Sequence, residues 1–138
     1  MDEINIKHEV KQFEIICSYI EKAFYDLAHP QKLLFFRGER GWLPFTNVIA
    51  LEDKVLVEVE LASVNKKEIQ INFKYPYLLI KGCREEKFKE GNCLYHQMEI
   101  EYGHFERIIY IPFSVKEKDI HARYEDGLLT IKLPKADR

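Results

Sequence analysis

Glu125-Asp126-Gly127-Leu128-Leu129-Thr130-Ile131-Lys132-Leu133-Pro134-Lys135 is the stretch that decides how this chain folds. Asp-Gly tolerates the positive φ angles that a tight hairpin turn requires, so a turn is expected there. The strand it releases alternates. Leu129, Ile131 and Leu133 take one face and Leu128, Thr130 and Lys132 the other, the period-two signature of a half-buried strand. Pro134 lacks a backbone N–H, so pairing is expected to end there. Only Ala136-Asp137-Arg138 follow Lys135, and the sequence reads as closing on a strand with essentially no tail.

Upstream, the same period recurs. Val55, Val57, Val59 and Leu61 alternate with Leu56, Glu58 and Glu60, and Ile69, Ile71 and Phe73 alternate with Gln70 and Asn72. Shorter runs lie at 77–83, 94–101, 105–111 and 118–124, a Pro-bearing run at 43–51 reads as an edge strand, and the charged segment 85–92 reads as a loop. Closely spaced strands with turns between them imply an all-β, antiparallel, immunoglobulin-like sandwich.

Before Trp42 the period is helical. From about Ile6 to Leu27, the residues Val10, Phe13, Cys17, Ile20, Phe24 and Leu27 form a heptad-like seam, which His29-Pro30 ends. The apolar patch Leu33-Leu34-Phe35-Phe36 and a linker, Arg37 to Gly41, follow. The expected organisation is an N-terminal amphipathic arm and linker at 1–41, a sandwich at 42–135 and a residual tail at 136–138.

Composition narrows the function. The chain has 138 residues, 46% of them apolar, and a formal charge of −2. That charge offers no electrostatic footprint for nucleic acid. No apolar run approaches the ~20 residues needed to span a bilayer. The start, Met-Asp-Glu, is unlike a signal peptide, and the widely spaced Cys17, Cys83 and Cys93 are odd in number. Together these features imply reduced thiols and a cytoplasmic protein.

Neither a phosphate-cradling glycine loop nor a Gly-x-Ser-x-Gly elbow is present. Cys93-x-x-His96 with His104 nearby supplies only one ligand pair, too few for a structural zinc site. Glu85-Glu86 and Glu99/Glu101 read as solvated charge. The expectation is a protein without catalytic residues, cofactor or metal. Arg107 shares parity with Phe105, Ile109 and Ile111, which puts a cation on an apolar face: either that face is open to water at this point, or Arg107 lies at a subunit interface with an acid across it.

Two blocks resemble the α-crystallin domain of the small heat-shock proteins. Glu99-Ile100-Glu101-Tyr102-Gly103-His104-Phe105-Glu106-Arg107-Ile108-Ile109-Tyr110-Ile111-Pro112 is similar to that family's Glu-x-x-Tyr-Gly-x-Phe-x-Arg-x-x-x-Leu-Pro. Ala122 to Lys135 is similar to its Ala-x-x-x-Asn-Gly-Val-Leu-x-Ile-x-x-Pro-Lys, and Leu78-Leu79-Ile80-Lys81-Gly82 to its Leu-x-Ile-x-Gly. The resemblance covers roughly Trp42 to Lys135. It implies an ATP-independent holdase that binds partly unfolded clients and forms a homodimer, often within larger oligomers. It also implies dimerisation by exchange of a strand from the loop at about Glu85 to His96. Cys93-Leu94-Tyr95 is the candidate strand, and Arg107 and Glu99 join it as candidate interface residues.

Two departures stand out. Leu61-Ala62-Ser63-Val64 replaces the family's Leu-Pro-Gly-Val, which implies a looser turn. The family's C-terminal Ile-x-Ile/Val tail, which docks in a groove between strands of a neighbour, has no counterpart after Lys135. That groove is expected to be floored by Ile69 and Ile71 on one strand and by Ile120 and Ala122 on another. Ile4-Asn5-Ile6 is the candidate substitute ligand, leaving a dimer or an arm-driven oligomer as the expected assembly. The arm has two compatible readings: its seam packs on the sandwich or pairs with another arm, and Phe13, Ile20, Phe24, Leu27, Leu34, Phe35 and Phe36 are the candidate client-binding surface when it detaches. Two other functions fit the same sequence: a structural or assembly component such as a spore-coat protein, or a CS-domain-like co-chaperone without holdase activity.

Overall fold

Alternating apolar residues bury themselves most simply when two sheets face one another, and the computed structural model of the chain has that form. It describes residues 3–7 and 41–136. In chain order the strands are β1 (Glu3–Ile4), β2 (Ile6–Lys7), β3 (Thr46–Ala50), β4 (Lys54–Glu60), β5 (Gln70–Lys74), β6 (Tyr77–Arg84), β7 (Gly103–Tyr110), β8 (His121–Glu125) and β9 (Leu128–Pro134). One sheet has the order β1-β8-β9-β4-β3 and the other β2-β5-β6-β7. Helical turns among the described residues are limited to the 3-10 segments Lys66–Glu68 and Glu117–Asp119.

The register explains the core. Val55, Val57 and Val59 of β4 lie opposite Leu133, Ile131 and Leu129 of β9, and all six are fully buried. From the other sheet Ile71, Phe73, Leu78, Ile80 and Phe105 pack against them. Asp126 and Gly127 adopt φ of 53° and 78°, the pair of left-handed residues that a two-residue hairpin needs. The turn also docks: Gly127 accepts a hydrogen bond from the Leu61 N–H at 2.8 Å. A Cβ at Gly127 would meet Ala62 at 3.0 Å. Ser63 takes φ 65°, a left-handed position where the resembled motif carries glycine, and Val64 still closes the turn onto Leu61 at 3.1 Å.

Four sequence expectations change. Pro134 does not end pairing, because proline loses a donor but keeps its acceptor. The Pro134 carbonyl accepts from Lys116 at 2.8 Å, and Lys135 bridges Val115. The first residues of the 118–124 run are a 3-10 turn, whose hydrogen bonds run back to Lys116 and Glu117. Ile6, expected to open a helix, lies in β2 because β5 offers it a ladder. Finally, the 94–101 run forms no strand. Alternation makes a segment competent to pair, but a strand exists only where another strand supplies hydrogen bonds.

Candidate protein-interaction site

Because β1 and β2 begin the two sheet orders, residues 3–7 cross from one sheet to the other along one flank of the sandwich. Ile4 lies opposite Ala122 in antiparallel register on β8. Ile6 lies opposite Ile71 in parallel register on β5. Both isoleucines are half-buried against the core. Ile69 and Ile120, the other floor residues expected from sequence, are buried as well. Ile4, Ile6, Ile71 and Ala122 therefore come together, with both sheet edges on this flank paired by the same short segment.

On the opposite flank the sheet orders end on β3 and β7. Trp42 bridges β7 at Phe105 and donates its backbone N–H to the His104 carbonyl at 3.3 Å, which leaves β3 as the open edge. Val48 sits opposite buried Val57, on the core-facing side, yet remains 47% exposed. Phe45, just before β3, is 84% exposed. Arg107, opposite Ile80 on β7, is half-buried. No ion pair reaches it among the described residues, so its proposed acid is not supplied within the sandwich. The 85–102 loop leaves β6 and returns to β7 on this flank, carrying Leu94 at 81% exposure with Tyr95, Met98 and Ile100 also exposed. Cys93 and Glu99 lie in the same loop and are exposed. Tyr95 donates a hydrogen bond to the Glu86 carboxylate, and that bond pushes its phenol up to about 12.

Where the loop rejoins β7, Arg84 organises the junction. Its side chain is buried, at 8% exposure. Nε and Nη2 donate to the Glu101 carbonyl at 2.9 and 2.7 Å, and Nη1 donates to the Ala62 carbonyl at 3.2 Å. The guanidinium lies 4.0 Å from the Trp42 ring centroid and 5.7 Å from that of Tyr102. Trp42 in turn donates through Nε1 to the Gly103 carbonyl at 3.0 Å and packs edge-on against Phe105. Beside this cluster lies a cleft of about 840 Å3, lined by Leu43, Phe45, Ile100 and Glu101 among others. Nearby, the Tyr124 hydroxyl donates to the Leu61 carbonyl at 2.5 Å, and burial raises its pKa.

Sequence reading missed Arg84, although a signal was present. Arg84 shares strand parity with Leu78, Ile80 and Gly82, so the test that singled out Arg107 would have flagged it. Gly82 keeps that face close-packed, since a Cβ there would lie 2.4 Å from the Glu68 carbonyl oxygen.

The seam residues Phe13, Ile20, Phe24 and Leu27 and the patch Leu34, Phe35 and Phe36 lie outside the described residues. Among the described residues no three His, Cys, Asp or Glu side chains converge as metal donors. Nor is any helix among them long and apolar enough to cross a membrane.

Comparison with known proteins agrees with this geometry. Residues 47–138 match the Hsp20/alpha crystallin family. "Small heat shock protein C2" of Rickettsia felis is 39% identical over 100 residues, which cover 72% of this chain and 65% of that protein. The match thus spans just under two thirds of that relative's length. "Heat shock protein 16" of Schizosaccharomyces pombe is 34% identical over 99 residues, covering 69% of this chain and 68% of the relative. Among solved structures, "Heat shock protein 16.0 from Schizosaccharomyces pombe" superposes with a TM-score of 0.65 at 31% identity, covering 70% of this chain and 89% of that one.

Proposed function

This chain belongs to the Hsp20/alpha-crystallin family of small heat shock proteins, and on that premise we propose that it acts in the cytoplasm as an ATP-independent holdase. It binds partly unfolded proteins through apolar surface and keeps them from aggregating. The observation that carries this reading is the open flank. There the β3 edge, without a partner strand among the described residues, shares the flank with Phe45, Val48, Leu94 and Ile100, all exposed, while the outer edge of β7 is bridged by Trp42 at Phe105. An unpaired edge bordered by apolar side chains suits an extended polypeptide, which can add backbone hydrogen bonds and fill apolar contacts together. Binding the unfolded form competes with aggregation by mass action and needs no catalytic group.

The same flank supports a homodimer formed by strand exchange. Cys93-Leu94-Tyr95 of one protomer would supply the strand, and the free β3 edge of its partner would accept it. Arg107 would then meet an acid across the interface, with Glu99 in the right loop. Client capture would add the arm residues Phe13, Ile20, Phe24, Leu27, Leu34, Phe35 and Phe36.

On the closed flank, Ile4 and Ile6 act as the ligand of the groove floored by Ile69, Ile71, Ile120 and Ala122. Burying two isoleucines stabilises by ~3–6 kcal/mol. Ordering a five-residue backbone costs ~5–10 kcal/mol before its ladder hydrogen bonds are counted. The clip is therefore close to balance and exchangeable.

The deciding measurement is suppression of aggregation of a heated client by the full chain, with assembly size followed by light scattering. Protection at near-stoichiometric ratios by a dimer or larger species is expected. No protection at several-fold molar excess would sink the holdase and favour a structural assembly role. A monomer would sink the strand exchange.

A further inference from the structure

The clip Glu3-Ile4-Asn5-Ile6-Lys7 raises a question that its isoleucines cannot answer: what fixes its direction? The groove walls run in opposite senses relative to the clip, since it is antiparallel to β8 and parallel to β5. Ile-x-Ile reads the same from either end. A reversed segment would set its isoleucines over the same floor and pair with the same two edges, merely exchanging parallel for antiparallel. Apolar burial is therefore indifferent to polarity. Only the flanking residues break the symmetry, and they carry opposite charges.

In the observed direction Glu3 lies opposite Arg123 of β8, and Lys7 lies opposite the neutral Asn72 of β5. Arg123 is on the exposed face of β8 and pairs with Glu125 at 3.0 Å. Reversal would bring the lysine opposite Arg123, setting like charges directly across a ladder, which is unfavourable. Resting on the docking reading above, we infer that Arg123 is the residue that determines the specificity and polarity of the groove. It selects extended ligands with an acidic residue immediately before the first apolar anchor, running antiparallel to β8. The class of ligand is thus acidic–apolar–x–apolar, and the clip is its resident example. Another chain offering this pattern would compete for the groove, whereas a basic–apolar–x–apolar segment would be rejected in this direction.

The test uses the full chain with labelled Ile and Ala methyl groups, reading the docked fraction from the shifts of Ile4, Ile6, Ile71 and Ala122. Glu3→Lys and Arg123→Glu should each lower the docked-to-undocked ratio by roughly threefold to tenfold, as expected for an exposed pair turned from attraction to repulsion. The double variant, with both charges exchanged, should return to within about twofold of the original. Raising salt to about 1 M should erase the difference between the original and the single variants, because exposed charges are screened while burial is not. Single variants without effect, a double variant without rescue, or a salt-independent difference would each overturn the role of Arg123. Ile4→Ser with Ile6→Ser separates this outcome from failure of the docking itself. Unchanged Ile71 and Ala122 shifts in that variant would refute docking and polarity together. Displaced shifts there, with no charge effect, would refute polarity alone.

Discussion

Replacing Arg84 with methionine tests whether this side chain holds the open flank together. Methionine keeps the apolar stem against Trp42 but removes three N–H···O contacts, two to the Glu101 carbonyl and one to the Ala62 carbonyl. Hydrogen bonds to a charged donor contribute about 1.5–3 kcal/mol each when isolated. Here three donors share two acceptors, so their contributions do not simply add. Stacking of the guanidinium on Trp42 at 4.0 Å supplies about 1 kcal/mol more, part of which the methionine stem restores. The expected loss is about 3–4 kcal/mol, a large share of the ~5–15 kcal/mol available to a domain.

The chain has one tryptophan, and it is the residue Arg84 covers, so its fluorescence reports the junction directly. Urea unfolding should show the loss as a lower midpoint, and repeating it at two protein concentrations separates folding from assembly. Below the transition, acrylamide should quench Trp42 more readily in Arg84→Met than in the original. Arg84→Lys keeps the charge but not the planar fork, and should fall between the two. A loss below about 1 kcal/mol with quenching unchanged would refute the idea that Arg84 holds this junction.

Further outcomes follow from the backbone and the loop. Gly127→Ala forces a side chain onto φ 78° with Ala62 at 3.0 Å, and should cost about 1–3 kcal/mol in the same urea assay. Ser63→Gly should do the reverse, gaining about 0.5–1 kcal/mol by relieving a left-handed serine at φ 65°. The Tyr95 phenol, pushed up to about 12 by Glu86, should titrate late by absorbance, and Tyr95→Phe should remove that component. Because the folded value is raised, the contribution of this contact is whole below the ordinary tyrosine pKa near 10 and fades as pH rises through about 12. Leu94→Asp should weaken the dimer at least tenfold in sedimentation if 93–95 is the exchanged strand, since it puts a charge where an apolar strand residue would be buried.

The core strands were legible because each carries its own evidence. Val55, Val57 and Val59 face Leu133, Ile131 and Leu129 as their alternation requires, and Asp126-Gly127 turns as its residue types demand. The run at 94–101 shows the limit, for it has the same alternation and yet no partner strand among the described residues. Periodicity records which side of a segment prefers burial, not what will bury it. Pro134 was misread for a related reason: the rule about its missing donor says nothing of its carbonyl. Arg84 escaped notice because its acceptors are the carbonyls of Glu101 and Ala62, which belong to no particular side chain and leave no trace in the sequence. Arg107, marked by parity, sits half-covered at the rim where a sheet ends, and no ion pair reaches it among the described residues.

The two flanks also obey different laws of abundance. Residues 3–7 reach their groove through their own chain, so the local concentration of the clip is fixed by the tether and is the same in a dilute or a crowded solution. Whatever covers β3 and the 85–102 loop from another molecule must instead be recruited from bulk, and its occupancy rises and falls with the number of copies present. Dilution should therefore bare the β3 flank while leaving the clip in place. One edge of this sandwich would keep a constant setting, and the other would act as a gauge of how much protein the cell has made.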